Sequence, residues 1–212
     1  MALPTTLYIA RGGHGCRIDA LDRSIPTLGL WMRFSVLLIA MLIVGPLSAI
    51  AAGPNAFHFS FEAIEGGPLP LSQYEGKALL IVNTASFCGF TRQYGELQGI
   101  WESHRDRGLI VIGVPSNDFG AQEPGSAEEI KTFCEVNFDI DFPLADKTKV
   151  KGPEAHPFYR WAKDRLGKRS APSWNFHKYL IDREGNLVAS FPPRVSPQSI
   201  KVLRAIDDAL RS

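Results

Sequence analysis

Cysteine is scarce in this sequence, and its scarcity excludes two classes of protein. The 212 residues contain three cysteines, Cys16, Cys88 and Cys134. A small secreted protein held together by several disulfides needs more, and a zinc site needs cysteines and histidines at a spacing that is absent here. Chemistry at a thiol therefore has to come from one or two individually placed cysteines.

The sequence also lacks a surplus of charge of either sign. It has 23 lysine and arginine residues against 22 aspartate and glutamate residues, for a formal net charge of +1. Proteins that bind nucleic acid usually carry a basic surface, so nucleic acid is not predicted as a partner. Repeats and low-complexity tracts are absent, and 45% apolar residues is ordinary for a globular protein. Nothing in the sequence implies a metal or an organic cofactor.

One stretch, residues 34–52, has no charged residue at all. It follows Met32 and Arg33, contains a helix-weakening Gly-Pro pair, and ends in small residues that match a cleavage site before Ala52. We therefore predict a signal peptide over residues 32–51, and with it a periplasmic or secreted protein. A transmembrane anchor is the alternative, because about 20 apolar residues can span a bilayer. A cytoplasmic location is less favoured.

Residues 1–31 fit neither a signal peptide nor a domain. They contain three arginines and no apolar period. We predict that they are a non-native or disordered extension and that Met32 is the initiator; the alternative is a disordered leading segment on a membrane anchor. Residues 52–212 are expected to form one domain, since about 160 residues suffice for a single hydrophobic core.

The order of the predicted elements in this domain is that of an α/β fold. Two apolar runs, residues 78–83 and 109–114, are suited to strands buried on both faces. The helical pattern of residues 91–107 lies between them and ends at Gly108, so the two strands should pair in parallel. Alternating residues 57–62 predict the first strand of an N-terminal β-hairpin.

The second half of the domain adds further helices and an antiparallel pair of strands. Ser126 and Glu129 form a capping box that opens a helix. The remaining predicted elements are a helix over residues 157–166, strands over 178–182 and 187–191, and a last helix that opens at Ser196 and Pro197 and buries Ile200, Leu203, Ile206 and Leu210. Together they predict a central mixed sheet flanked by helices. A cysteine where the first buried strand meets its helix makes this a thioredoxin-like fold.

Cys88 is the cysteine at that junction. The free N–H groups and the dipole of a helix N-terminus favour negative charge, so a thiol there forms a thiolate more readily. Thr91 stands where a dithiol oxidoreductase has its second cysteine, which excludes simple dithiol exchange at this turn. The alternative is an inert buried cysteine, the usual state of this residue type.

Three motifs in this order resemble the glutathione peroxidases, in the form that uses cysteine instead of selenocysteine. They are residues 83–91 (NTASFCGFT), 114–126 (VPSNDFGAQEPGS) and 174–178 (WNFHK). The similarity extends over residues 57–211. Peroxiredoxins are less similar, because their motif would place proline and threonine where this chain has Ile81 and Ala85.

The resemblance implies a catalytic tetrad of Cys88, Gln122, Trp174 and Asn175. The Cys88 thiolate would attack the O–O bond of a hydroperoxide and become a sulfenic acid. The indole and the two amides can donate hydrogen bonds to the sulfur and to the peroxide oxygen. The alternatives are a core tryptophan, a surface-loop glutamine and a turn-forming asparagine.

Cys134 matches the region of the resolving cysteine in thioredoxin-dependent bacterial members of the family. This implies a Cys88–Cys134 disulfide, for which the second helix would have to unwind locally, since bridged Cα atoms lie within ~7 Å. A buried helix cysteine is the alternative.

The resemblance also implies the partners of the enzyme. They are hydrogen peroxide and organic or lipid hydroperoxides as substrates, and thioredoxin or glutathione as the reductant. Such an enzyme acts as an antioxidant in the response to oxidative stress. Residues 158–173 lack the extra loop that forms tetramer contacts in some relatives, so a monomer is expected. A peroxide sensor that passes its disulfide to a partner protein is the alternative function.

Overall fold

The computed structural model describes residues 53–212; the segments predicted as an extension, 1–31, and as a signal peptide, 32–51, lie outside the described residues. The described part of the chain contains six strands and four α-helices. In chain order they are β1 (Ser60–Glu62), β2 (Pro68–Pro70), β3 (Ala78–Thr84), α1 (Gln93–His104), β4 (Leu109–Pro115), α2 (Ala127–Phe138), α3 (Pro157–Leu166), β5 (Lys178–Ile181), β6 (Leu187–Phe191) and α4 (Ile200–Ala209).

The main sheet has four strands in the order β4-β3-β5-β6. β3 pairs in parallel with β4, from Ala78 opposite Leu109 to Thr84 opposite Pro115, which confirms the pairing predicted from two apolar runs joined by a helix. β5 pairs antiparallel with both β3 and β6, so the sheet is mixed as predicted. β1 and β2 form the predicted N-terminal hairpin as a separate two-stranded sheet.

Side chains of β3 alternate between two hydrophobic clusters, because successive residues of a strand point to opposite faces. Leu80 and Val82 pack with residues of α1, α2 and α4 on one face. Leu79 and Ile81 pack with α3 and the N-terminal hairpin on the other. All seven residues of β3 are buried. Each large aliphatic side chain buried in this way contributes roughly 1.5–3 kcal/mol, so β3 is a rigid support for the loop that follows it.

Two of the predicted helix signals are present in the structure. The Ser126 hydroxyl accepts a hydrogen bond from the Glu129 amide (3.2 Å), and the Glu129 carboxylate accepts one from the Ser126 amide (2.7 Å), at the start of α2. Gly108 has a φ of +101°, the left-handed conformation that ends the last turn after α1. The chain can therefore turn directly from α1 into β4.

Two details of the prediction are wrong. The segment predicted as a strand from residue 57 begins as a short 3-10 helix, Ala56–His58, because the Asn55 side chain accepts a hydrogen bond from the Phe57 amide and turns the chain there. The extended strand starts at Ser60.

The last helix starts later than predicted, at Ile200. Its N-cap is Ser199, whose hydroxyl accepts a hydrogen bond from the Val202 amide, whereas the Ser196 hydroxyl donates to the Glu96 carboxylate of α1 (2.5 Å). Pro197 therefore lies in the turn before the helix. The buried face passes through Val202, Ile206 and Ala209, and Ile200 is 70% exposed.

Within residues 53–212, no helix combines the length and the hydropathy needed to span a bilayer.

Candidate active site

Cys88 lies in the loop between β3 and α1. Its amide N–H donates to the Thr91 hydroxyl (3.1 Å), and the Phe90 amide N–H points at its sulfur, with 3.4 Å between nitrogen and Sγ. A turn closed by the hydrogen bond from the Thr91 amide to the Cys88 carbonyl (3.0 Å) separates Cys88 from the first residue of α1. A backbone N–H directed at the sulfur stabilises negative charge on it.

Thr91 holds this loop together, a role the sequence did not reveal. Its hydroxyl donates to loop carbonyls, with the Cys88 carbonyl at 2.5 Å, besides accepting from the Cys88 amide. Thr91, which stands where a dithiol oxidoreductase has its second cysteine, therefore fixes the conformation of the loop around Cys88.

Gln122 is tied to the Cys88 loop through the backbone. The Phe87 amide, next to Cys88 in the chain, donates to the Gln122 carbonyl (3.0 Å). The loop that carries Gln122 follows β4, and the Ser116 amide at its start donates to the Thr84 carbonyl (3.0 Å). Parallel pairing of β3 and β4 thus brings the two loops to the same edge of the sheet.

Asn175 is fully buried and contacts Gln122 directly. Its Nδ2 donates to Gln122 Oε1 (3.0 Å) and to the Phe119 carbonyl (3.5 Å). Because Gln122 Oε1 accepts this bond, the Nε2 donor of the same amide is directed elsewhere and stays available. The structure therefore brings these two predicted site residues together, with Asn175 orienting the amide of Gln122.

Trp174 precedes Asn175 and is 39% exposed, so it is not a core tryptophan. Its ring centroid lies 5.8 Å from that of Phe119. A side chain at Gly120 would reach 3.6 Å from both the Trp174 ring and Gln122 Cγ. Trp174 and Gln122 therefore flank the same glycine.

Asn83, at the end of β3, holds the segment that carries Trp174 and Asn175. Its Nδ2 donates to the Trp174 carbonyl (3.2 Å), and its own carbonyl accepts from the Phe176 amide (2.6 Å). This residue belongs to the first sequence motif, but a single sequence does not show that its side chain spans to the third.

Two residues beside the site have backbone conformations that L side chains rarely adopt. Ala121 has a φ of +50° and Phe176 a φ of +64°. Each such residue costs about 1–3 kcal/mol and persists where the surroundings fix it. One precedes Gln122 and the other follows Asn175, so the strain is located on both sides of the amide pair.

Lys178 holds the segment around Phe176 in place through hydrogen bonds made inside the protein. It is fully buried, and its ammonium group donates to the carbonyls of Phe176 and Val195, both at 2.7 Å. Burial lowers the pKa of Lys178 to about 7, an effect that the charge of Glu96 opposes.

Cys134 is fully buried in α2, and both it and Cys88 are free thiols in the same hydrophobic cluster. Burial raises the pKa of the Cys134 thiol to about 12. The Tyr94 hydroxyl lowers it, while the charges of Glu123 and Glu135 raise it further. In the structure the Cys134 thiol is buried and protonated. Its role as the resolving cysteine stays a prediction.

Glu123 is a buried carboxyl group that the sequence analysis missed. Its Oε2 accepts a hydrogen bond from the Ser86 amide (3.0 Å), two residues before Cys88. Burial raises the pKa of Glu123, whereas the hydrogen bonds from Ser86 and the charge of Lys147 lower it. A loop glutamate is usually exposed, so no signal in one sequence marks this one.

A groove of about 350 Å³ opens between the Cys88 loop and α2. Phe87, 67% exposed, and Phe133 of α2 face each other across it with ring centroids 6.3 Å apart. Glu123 and Ile130 also contribute to its lining. No group of three or more histidine, cysteine or acidic residues in the part of the chain that the structure describes could hold a metal ion.

A mixed sheet with a cysteine loop between a central strand and its helix defines a thioredoxin-like fold. A solved structure described as Trgpx in apo form matches with a TM-score of 0.62 and 30% sequence identity, over 76% of this chain and 98% of that one. This class of fold supports thiol-dependent oxidoreductases.

The family model for glutathione peroxidase matches residues 56–163. Hydroperoxy fatty acid reductase gpx1 of Synechocystis sp. is 44% identical over 157 residues, covering 70% of this chain and 93% of that protein. Glutathione peroxidase-like peroxiredoxin GPX5 of Chlamydomonas reinhardtii is 41% identical over 161 residues, covering 73% and 99%. The chain belongs to the glutathione peroxidase family, and it is an oxidoreductase of the peroxidase class.

Proposed function

We propose that this protein reduces hydrogen peroxide and organic or lipid hydroperoxides with Cys88 as the attacking thiol. The Cys88 thiolate attacks one oxygen of the O–O bond, which breaks. The sulfur becomes a sulfenic acid, and the other oxygen leaves with a proton as an alcohol or as water.

The observation that carries this proposal is the amide pair beside the Cys88 loop. Asn175 Nδ2 bonds Gln122 Oε1 at 3.0 Å, and the Gln122 carbonyl bonds the Phe87 amide at 3.0 Å. A fixed amide donor costs no reorganisation when charge develops on a leaving oxygen. We assign Gln122 and Trp174 as donors to the sulfur and the peroxide, and Asn175 as the residue that orients Gln122.

We assign Cys134 as the resolving cysteine. It would attack the sulfenic acid and form a disulfide with Cys88, releasing water. Because Cys134 is fully buried in α2, the helix has to open locally for this step. The groove beside Phe87 supports the assignment, since it gives a displaced α2 turn space next to the Cys88 loop.

The exposed aromatic side chains near Cys88 favour an apolar substrate. Phe87 and Trp174 are exposed by 67% and 39%, and a relative at 44% identity is named a hydroperoxy fatty acid reductase. Thioredoxin or glutathione would return the thiols to the reduced state. We further propose that the protein is a monomer and that residues 32–51 are a signal peptide that directs its export. The alternative is that these residues anchor the protein in a membrane.

The test is steady-state peroxide consumption by the reduced protein, with thioredoxin and its reductase in one arm and glutathione in the other. We expect turnover with thioredoxin, and loss of that turnover in Cys134→Ser, because the sulfenic acid would then lack its disulfide partner. Turnover with glutathione alone would remove Cys134 from the mechanism. Oxidation of Cys88 without turnover in either arm would instead indicate a peroxide sensor.

A further inference from the structure

Lys178 is a fully buried basic side chain that the proposed mechanism does not use. Its ammonium group donates to three backbone carbonyls, those of Phe176 and Val195 at 2.7 Å and that of Pro193 at 3.5 Å. No carboxylate among the described residues forms an ion pair with it. A buried cation without a counter-charge is costly, so a lysine at this position needs a reason other than packing.

One of the three carbonyls belongs to the segment that carries two of the predicted site residues. Phe176 directly follows Trp174 and Asn175, and its φ of +64° is a conformation that persists only where the surroundings fix it. The Asn83 carbonyl holds the amide of Phe176 (2.6 Å). Lys178 holds its carbonyl. This strained residue is thus fixed on both sides, directly next to Asn175.

The other two carbonyls connect the same lysine to the helix that follows the Cys88 loop. Pro193 and Val195 lie just after β6. The Pro193 carbonyl also accepts a hydrogen bond from Nε2 of Gln93 (2.8 Å), which is the first residue of α1. Lys178 therefore joins the segment just before β5 to the helix that begins behind Cys88.

We propose that Lys178 is a positioning residue for the first chemical step. By fixing the Phe176 carbonyl it keeps Asn175 in place, and Asn175 in turn orients the Gln122 amide. Because its side chain is fully buried, Lys178 acts through this segment and does not touch the peroxide. The inference rests on the proposed function, since it presumes that Gln122 donates to the peroxide or to the sulfur of Cys88.

The number of protons on Lys178 decides how many of the carbonyls it can bind. An ammonium group has three N–H donors, whereas the neutral amine has two and a lone pair that a carbonyl oxygen repels. Burial lowers the pKa of Lys178 to about 7, and the charge of Glu96 on α1 opposes this effect. Burial and the charge of Lys178 lower the pKa of the neighbouring His177 to about 4, so His177 is neutral near pH 7. Arg194, between the two carbonyls after β6, and Lys201 of α4 are exposed. The support of the segment should therefore weaken as the pH rises through about 7.

The test is the rate of the first step in the reduced full chain, comparing the wild type with Lys178→Met. Methionine is unbranched and adaptable, so it can fill the space of the lysine without its three donors. The loss of hydrogen peroxide in a single turnover is followed by stopped flow. We expect Lys178→Met to react about 10- to 100-fold more slowly, as for a displaced positioning contact. A wild-type rate in Lys178→Met would overturn the proposal.

Tyr179→Phe is the matched control. Tyr179 is the next residue of β5 and is also fully buried, and its hydroxyl donates to the Ser170 carbonyl (2.5 Å). Its side chain points to the opposite face of the sheet, so this variant removes a buried hydrogen bond to a carbonyl outside the site. We expect urea unfolding to show both variants destabilised, with slowing of the first step in Lys178→Met alone. Equal slowing in both variants would mean a purely structural role for Lys178.

A double-mutant cycle with Asn175→Ala tests the route by which Lys178 acts. If Lys178 acts through Asn175, its loss has little left to change once the Asn175 side chain is gone. Lys178→Met should then slow the Asn175→Ala protein by less than about threefold, so the two effects are strongly non-additive. Effects that multiply would show that Lys178 acts independently of Asn175 and would overturn the proposal.

The pH dependence gives a measurement that needs no variant of Lys178 and so does not depend on the folding of Lys178→Met. The wild type and Asn175→Ala use the same Cys88 nucleophile, so the ratio of their rates isolates the contribution of Asn175. This ratio should fall as the pH rises from about 6 to about 9, because Lys178 loses a proton over this range. A constant ratio would refute the role of the ammonium group. A wild type that does not consume one equivalent of peroxide would instead refute the proposed function.

Discussion

The two cysteines of the described domain are almost equally buried, yet their surroundings are opposite. Cys88 is 7% exposed and Cys134 is not exposed at all, and both belong to the same hydrophobic cluster. Cys88 lies in a loop where a backbone amide points at its sulfur. Cys134 lies inside a helix, where burial raises the pKa of its thiol to about 12. Burial therefore keeps the Cys134 thiol protonated, whereas Cys88 has a backbone amide directed at its sulfur.

This contrast separates two tasks along the chain. A loop fixed by Thr91 and by the end of β3 can keep one sulfur ready for a substrate. In the proposed function, the helix keeps the other sulfur unreactive until the first has been oxidised. Three measurements test whether the contrast is as large as the structure indicates.

The largest effect is expected for Cys88→Ser. A serine hydroxyl stays protonated at neutral pH, whereas the thiolate is the nucleophile of a cysteine. We expect peroxide consumption to fall by at least about 10³-fold with either reductant. Stopped-flow measurement of peroxide loss checks this, with Cys134→Ser as the control that keeps the first, stoichiometric reaction. Residual turnover in Cys88→Ser would mean that Cys134 attacks peroxide itself.

The next effect is slow alkylation of Cys134 by iodoacetamide, measured in the Cys88→Ser variant so that Cys88 does not react. Because its pKa is raised to about 12, Cys134 is a neutral thiol at pH 7. The thiolate is the form that reacts. The rate should be on the order of 10³-fold below that of the unfolded chain, since a free thiol has a pKa of ~8.5. It should increase about tenfold per pH unit while the protein stays folded. Rapid alkylation at pH 7 would show that α2 opens often without oxidation.

The smallest effect is expected for Asn175→Ala. Loss of its bond to Gln122 leaves that amide free to rotate, so the first step should slow about 10- to 100-fold. The rate of sulfenic acid formation is the measurement. Asn137→Ala is the control, because the exposed Asn137 side chain of α2 donates to the Phe133 carbonyl and makes no bond to Gln122. Equal rates in Asn175→Ala and the wild type would contradict this role and show that other contacts orient Gln122.

Much of the fold could be predicted because its signals are local. The apolar runs of β3 and β4, the capping box at Ser126 and the left-handed Gly108 each depend on a few neighbouring residues. The start of α4 could not be predicted in the same way. Ser196 and Ser199 are both good cap residues, and the local sequence does not distinguish between them; in the structure the Ser199 hydroxyl accepts the Val202 amide and caps the helix.

The site shows the same limit. Its thiol could be placed at a strand–helix junction from the sequence pattern, and its partners could be named from the family resemblance. The bond between Asn175 and Gln122 and the burial of Glu123 depend on contacts between segments far apart in the chain. Such contacts leave no mark on the local pattern of a single sequence.

The hydrogen bond from Asn83 to the Trp174 carbonyl joins segments that are synthesised at different times. Its two residues are 91 positions apart, and those of the Asn175–Gln122 pair are 53 apart. During synthesis the thiol of Cys88 emerges long before the segment that completes its surroundings. A growing or unfolded chain therefore carries this cysteine without the groups that would surround it, and the arrangement exists once the C-terminal third has joined the sheet.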